Sequence, residues 1–298
     1  MSAAAQNAEE LNTFKALIDE FKVILKEAGI KTPELDARLL VQGMLEISHE
    51  ELLLKYNDTI SKLEEASLRK ALARRLKHEP VSRIIGMRSF WNENFKITPD
   101  VLDPRPDSET LIEAVLHWVP EGKQKKQRIF DLGTGTGCLL LSLLGEWPTS
   151  VGIGVDISLG ALRCAAANSR RLKLQKRSGF VHSDWNAFRP NTLADIVISN
   201  PPYIAVRDRQ TLAPEVLHYD PPEALFAGHD GLDAYRSLAE NMPYFLKPVG
   251  LAFYEIGHDQ AEAVKDILCA HGQTVLETRQ DLAGRDRVVV ARLTGYSL

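Results

Sequence analysis

Cysteine is scarce in this 298-residue chain, and the three present, Cys138, Cys164 and Cys269, lie far apart. An odd, scattered set supports neither a disulfide framework nor a structural zinc site, and it fits a reducing compartment. Long apolar runs are missing as well. The longest worth testing, Cys138 to Leu144, is seven residues and includes Ser142, whereas a membrane span needs about 20. Met1 to Glu10 is small and polar, with neither a basic nor an apolar segment, so no signal peptide is expected. Positive charge is not in excess: 36 Lys and Arg stand against 40 Asp and Glu, a formal charge of -4. That argues against a bulk cationic surface for nucleic acid. The eight histidines form no metal-ligand spacing, and no metal is expected. What remains, 44% apolar and 26% charged residues, is the mix of a soluble globular protein of one or two domains, expected in the cytoplasm.

Two textures divide the chain. From Leu11 to about Lys77 the pattern is helical, with Phe14, Leu17, Ile18, Phe21, Ile24 and Leu25 spaced by threes and fours. Thr32-Pro33-Glu34 reads as an N-cap with proline in the first turn, opening a helix through Leu35, Ala37, Leu39, Leu40 and Met44. Ser48 with Glu51 and Ser61 with Glu64 read as capping boxes. A small helical bundle over 1–80 follows, closed by Glu79-Pro80, with a linker over 81–104. Phe90, Trp91, Phe95 and Ile97 around Asn92-Glu93-Asn94 give that linker a β-hairpin. The basic run Lys123 to Arg128 reads as a solvated turn, and His117 as a partly buried helix residue.

Residues 105–298 form the second domain, whose strands and helices alternate from Arg128 onward, which implies an α/β sheet covered by helices on both faces. Strands are expected at 128–132, 151–155, 179–182, 195–199, 250–255, 274–278 and 287–291, with the last two antiparallel across Gly284. Helices are expected near 137–144, 159–171, 232–245 and 259–271.

Three segments carry chemistry. The strand at Ile129-Phe130 runs into Asp131-Leu132-Gly133-Thr134-Gly135-Thr136-Gly137 and then an apolar helix. Glycines at a strand-to-helix turn let backbone approach a ligand, and Asp156 after the next strand can accept ribose hydroxyls. A dinucleotide fingerprint would need glycine at Cys138, so the alternating glycines at 133, 135 and 137 point to another nucleoside cofactor. Asp184-Trp185 follows the third strand; an acid there can accept from an adenine amino group and an aromatic can flank the ring, or the pair can simply cap a turn and plug the core.

The third segment is Asn200-Pro201-Pro202-Tyr203 at the end of the fourth strand. Two prolines cannot continue a central strand, so they fix a rigid loop with a free carbonyl at Pro201 beside an amide and an aromatic. A planar, conjugated NH2 is a poor nucleophile. Acceptance of its two hydrogens by the Asn200 side-chain oxygen and the Pro201 carbonyl would aim its nitrogen at a methyl donor, while Tyr203 packs over the plane. No metal and no covalent intermediate is needed. This chemistry fits a glutamine side-chain amide or the exocyclic amine of adenine, the latter flipped out of a duplex.

The pattern D-x-G-x-G-x-G resembles the first motif of Rossmann-like S-adenosylmethionine-dependent methyltransferases. Over nearly its whole length the chain resembles the release factor glutamine methyltransferases, the HemK-like protein N5-glutamine methyltransferases. The resemblance runs through Glu79 to Gly86, Phe90-Trp91, Val101 to Glu109, Asp131 to Gly137, Gly154 to Ser158, Ser183-Asp184-Trp185, Asn200 to Ile204, Pro222 to Leu232, Glu255-Ile256-Gly257 and Asp281 to Arg287. It implies a helical N-terminal domain, a hairpin linker and a seven-stranded Rossmann-like class I catalytic domain. It further implies methyl transfer from S-adenosyl-L-methionine, leaving S-adenosyl-L-homocysteine, to the glutamine of the Gly-Gly-Gln (GGQ) motif of peptide chain release factors. Carried over residue by residue, the resemblance gives Gly133, Thr134, Gly135, Thr136, Gly137, Asp156, Asp184, Trp185 and Asn200 to the cofactor. It gives Asn200, Pro201, Pro202 and Tyr203 to the substrate, with catalysis at Asn200, Pro201 and Tyr203. Arg105, Glu109 and Asp131 would form the site wall. Asp103 departs from the hydrophobic residue usual before Pro-Arg-Pro, and His229 from a smaller or more polar one. A monomer is expected, with no membrane and no stable nucleic-acid partner. The rival readings are an N6-adenine methyltransferase on DNA or RNA and a non-catalytic cofactor-binding scaffold.

Overall fold

The structure, a computed structural model, describes residues 13–295; the expected helix start at Leu11 lies outside them. The described residues form two compact units, one ending at Met87 and the other beginning at Arg88.

The first unit is helical. Helix α1 (Phe14–Glu27), capped by the Thr13 hydroxyl, buries Phe14, Leu17, Ile18, Phe21 and Leu25. Helix α2 (Pro33–Leu45) starts at its proline, but the Thr32 side chain donates to Asp36 Oδ1 at 2.8 Å instead of capping backbone. Leu35 and Leu39 are exposed, not buried as the apolar spacing suggests. The inward positions hold Asp36, Ala37, Leu40 and Val41. Helices α3 (His49–Leu54) and α4 (Lys62–Arg75) open on complete capping boxes at Ser48/Glu51 and Ser61/Glu64. Asp36 pairs with Arg75 of α4 at 2.7 Å, with both side chains buried. The helical pattern does not end at Pro80: α5 (Val81–Ile85) follows and stops at Gly86, whose φ of 80° only glycine adopts freely.

At the start of the second unit stands a hairpin, β1 (Met87–Phe90), whose first residue still belongs to the first unit, and β2 (Glu93–Lys96). Its turn is Trp91-Asn92, with Trp91 at φ 54°, so Glu93 and Asn94 belong to the strand and not to the turn. Phe90 and Phe95 meet edge to face at 6.2 Å and join the core of this unit.

The main sheet has seven strands: β3 (Arg128–Leu132), β4 (Val151–Asp156), β5 (Ser178–His182), β6 (Ala194–Ser199), β7 (Leu246–Glu255), β8 (Gln273–Gln280) and β9 (Asp286–Leu293). Their spatial order is β5-β4-β3-β6-β7-β9-β8. The first five are parallel, and β9 runs antiparallel between β7 and β8. Alternation along each central strand feeds two cores. Ile129, Ile196, Ile198, Phe253 and Val288 meet α6 (Glu109–Trp118) and α7 (Cys138–Glu146) on one face. Phe130, Val197, Ala252, Tyr254 and Val289 meet α10 (Asp233–Asn241) and α11 (Ala261–Ala270) on the other. Helix α8 (Leu159–Arg171) packs on β4 and β5 and buries Ala161 and Cys164 against Ile97 and Val101. This is the expected Rossmann-like seven-stranded α/β fold. The expected helix over 232–245 is cut at Asn241, because Pro243 lies in a following 3-10 turn.

Between β6 and α10 the chain makes an excursion that the sequence pattern did not reveal, carrying α9 (Pro214–Tyr219) and a parallel bridge from Ile204 to Phe226. His117 is exposed on α6 and stacks edge to face on Trp118. Departing residue Asp103 is buried with its carboxylate 3.6 Å from the Arg88 guanidinium, and His229 is exposed. Among the described residues no helix is long and apolar enough to cross a membrane.

Candidate active site

Strand order reverses at β3, which pairs with β4 on one side and β6 on the other. A crevice at the carboxyl ends of parallel strands is expected at such a switch point. There lies a cavity of about 960 Å³.

The loop after β3 supplies its floor. Gly133, Gly135 and Gly137 take φ of 79°, 53° and 78°, conformations that a side chain resists. A Cβ on Gly135 would meet nothing within 4 Å, so that backbone faces open space, whereas one on Gly137 would press on Leu141 at 3.1 Å and Ala165 at 3.2 Å. Gly133 through Thr136 line the cavity; Gly137 instead begins α7 and packs against α8.

Asp156, at the end of β4, also lines the cavity. Its Oδ2 accepts the Gly135 N–H and its Oδ1 the Ser158 N–H, both at 2.9 Å, so the carboxylate is fixed while each oxygen keeps a lone pair. Burial raises its pKa above the usual carboxylate range. Beneath the loop, Asp131 is fully buried and outside the cavity lining, with Oδ2 accepting from the Thr134 hydroxyl at 2.6 Å and Oδ1 unpartnered. Burial pushes it up to about 7.

From the end of β5 come Asp184 and Trp185, both lining the cavity. Asp184 Oδ1 accepts the Asn186 N–H at 2.9 Å, so it does cap a turn while its side chain borders the crevice. The Trp185 ring lies over Gly133, and its Nε1 donates to Ser237 Oγ at 2.8 Å. These neighbours could hold a nucleoside cofactor: an open glycine cradle, an acceptor-only carboxylate and an aromatic wall around one crevice.

Asn200 and Pro202, after β6, line the same cavity; Pro201 is buried behind them and Tyr203 does not line it. The Asn200 Nδ2 donates to Ser108 Oγ at 3.2 Å. The Tyr203 carbonyl accepts from Gln260 Nε2 at 3.0 Å, and burial pushes its phenol up to about 12. Arg105 lines the cavity and is held by buried Asp220 at 2.5 Å. Glu109 does not reach it: its carboxylate accepts the Trp91 N–H at 2.7 Å and secures the hairpin turn.

The sequence reading gave no role to Ser108, Asp220 or Glu255. Ser108 and Glu255 sit behind Asn200, and Asp220 behind Arg105. One signal was available: an acid, Glu255, closing the otherwise apolar run Leu251 to Tyr254. His182 also has a partner that the sequence did not name, the Ile157 carbonyl at 2.8 Å.

Comparison with known proteins bears on the whole chain. A family model for the PrmC N-terminal domain matches residues 16–86, and one for the methyltransferase small domain matches residues 107–228. A release factor glutamine methyltransferase of Rhodospirillum rubrum is 43% identical over 288 residues, covering 97% of this chain and 87% of the relative. The chain belongs to the release factor glutamine methyltransferase family. A second release factor glutamine methyltransferase, from Cereibacter sphaeroides, is 42% identical over 90% of this chain and 94% of its own. A bifunctional methyltransferase of Rickettsia conorii is 36% identical over 93% of this chain but only 57% of its own length. The release factor glutamine methyltransferases align across both units described above.

Proposed function

We propose that this chain transfers a methyl group from S-adenosyl-L-methionine to the side-chain amide nitrogen, N5, of the glutamine in the GGQ motif of peptide chain release factors, supporting translation termination in the cytoplasm. The observation that carries it is full-length similarity to release factor glutamine methyltransferases, combined with Asn200 and Pro202 on the wall of the crevice that also holds the glycine loop and Asp156.

The cofactor fits the donor set. Gly133 to Thr136 would border its amino-acid part, Asp156 would accept its ribose hydroxyls, and Asp184 and Trp185 would border its adenine. Gly137 and Asp131 would serve from behind, the first by starting α7 and the second by holding Thr134. When bound, S-adenosyl-L-methionine supplies an electrophilic methyl on a sulfonium, and S-adenosyl-L-homocysteine is the product. The chain's own task is to present the acceptor. Asn200 Oδ1 and the Pro201 carbonyl would take the two amide hydrogens, fixing the plane and favouring the positive charge that develops on nitrogen. Pro202 stiffens the loop, and Tyr203 braces it through its carbonyl bond to Gln260. Alignment in the crevice then favours transfer, and the methylated nitrogen loses its proton to solvent with no general base required. The helical unit is proposed to dock the release factor, with residues 81–104 as linker and 105–298 as the catalytic part.

The test uses labelled S-adenosyl-L-methionine with a folded release factor, its glutamine-to-alanine version and unmethylated duplex DNA, the methyl being located by fragment mass spectrometry. Label confined to the GGQ glutamine and lost in Asn200→Ala is the expected outcome. Label on DNA with none on the release factor would sink the reading in favour of adenine chemistry.

A further inference from the structure

Asn200 must show an oxygen to the acceptor, yet an amide has two nearly isosteric ends. With the NH2 end outward, it would face the NH2 of the substrate, donor against donor. Something behind Asn200 has to choose.

Behind it stand two buried groups. Ser108, 2% exposed in the 3-10 turn Pro106–Ser108, accepts from Asn200 Nδ2 at 3.2 Å. A hydroxyl alone does not fix the choice, because it donates as readily as it accepts. Glu255, 1% exposed at the end of β7, supplies the asymmetry. Its Oε2 is buried without a hydrogen-bond partner, and the neighbouring Ser108 hydroxyl and Asn200 amide favour its charged form. An ionised carboxylate only accepts, so a negative charge there draws the serine hydrogen towards itself and leaves the serine lone pairs to the amide NH2. The turn bearing Ser108 is tied down in turn: Arg287 of β9 bonds Asp107 at 3.3 Å and Asp281 at 3.2 Å.

We propose that Ser108 and Glu255 are positioning residues that set the polarity of the Asn200 amide, turning its NH2 inward and its Oδ1 toward the substrate nitrogen. The inference rests on the glutamine-methylating role of Asn200 stated above and concerns neither cofactor nor partner choice.

Protonation of Glu255 undoes the arrangement, since a carboxyl that donates to Ser108 lets serine donate to the amide oxygen. The charged and titratable groups facing Glu255 are Arg287, Asp107, Tyr203 and Cys138, with Tyr235 bonded to its main-chain oxygen. Burial outweighs Arg287 and the two donors and pushes Glu255 up to about 7, within reach of an assay.

The experiment measures kcat and KM for a release factor with the unmodified chain and with Ser108→Ala, Ser108→Thr, Glu255→Gln and Asn200→Ala, between pH 6 and 9. Ser108→Ala is expected to lose about 10- to 100-fold in kcat with KM little changed, as for a misaligned acceptor. Ser108→Thr, which keeps the hydroxyl, restores most of the loss. Unmodified kcat rises with pH through about 7, and Glu255→Gln flattens that rise, because the amide has no proton to lose over this range. Thermal melting accompanies each variant; should Ser108→Ala fail to fold, the two pH profiles decide alone. Full kcat in folded Ser108→Ala, Ser108→Thr as impaired as Ser108→Ala, or the same pH rise in Glu255→Gln overturns the positioning role while methylation by the unmodified chain stands. No methylation by the unmodified chain overturns the function and this inference together.

Discussion

Asp131 shows how one buried carboxyl shapes the response to pH. It lies wholly inside the second unit, and its pKa moves from 3.8 to about 7, chiefly because burial penalises the charge, with the neighbouring Asp156 adding to the rise and the Thr134 hydroxyl opposing it. Between those two values the folded chain keeps a proton that the unfolded chain has released. Protons bound in the folded state exceed those in the unfolded one, so stability falls as pH rises through this window and stays lower above it. Glu255 acts with the same sign. Asp131→Asn, which cannot ionise, is therefore expected to show a shallower decline of melting temperature between pH 4 and 7 than the unmodified chain. An identical slope would remove Asp131 as its source. The glycines of the same loop separate by neighbourhood. Gly137→Ala strains both φ and its packing on Leu141 and Ala165, and Gly135→Ala strains φ alone, so the first should lower the denaturant midpoint more.

At the scale of elements, the ion pair joining α2 to α4 is the sharpest case. Asp36 and Arg75 have side chains 8% and 7% exposed, and Thr32 also donates to Asp36. Asp36→Ala leaves a buried guanidinium without its carboxylate and should cost about 3–5 kcal/mol by chemical denaturation. Breaking the exposed Arg69–Glu20 pair should cost far less, and equal losses would argue against burial as the cause. The apolar spacing of α2 did not show this pair, because an inward aspartate looks like a break in the stripe while Leu35 and Leu39 extend it. Elements whose cues are local were legible. The capping boxes of α3 and α4 and the apolar strand Arg128–Leu132 depend only on neighbours in the chain. The excursion with α9 was not legible, being a mixture of prolines and charges tied down by contacts such as Arg105–Asp220, 115 residues apart.

For the whole molecule, the same division separates the visible half of the site from the hidden half. Gly133 to Gly137, Asp156, Asp184-Trp185 and Asn200 to Tyr203 announce themselves because each is a loop at the end of its own strand. Ser108, Asp220, Glu255 and Arg287 do not, since their value lies in meetings across the fold: Ser108 and Asn200 are 92 residues apart in sequence. The antiparallel pairing of the last two strands could be read from the short turn at Gly284, but the insertion of β9 between β7 and β8 could not, because nothing local to β8 says that it bonds only to the strand made after it.

That insertion has a consequence for the order of events on the ribosome. A chain emerges from its amino end, and domains fold as their residues become available. Strand β8 emerges before β9, yet among the described residues β9 is its sole strand partner, so until β9 arrives β8 has no strand to pair with and β7 keeps a bare edge. Arg287, near the start of β9, also brings the last tie on Asp107 and hence on the turn that carries Ser108. The nascent chain thus acquires its outer sheet and this tie on the Ser108 turn in the same stretch of synthesis.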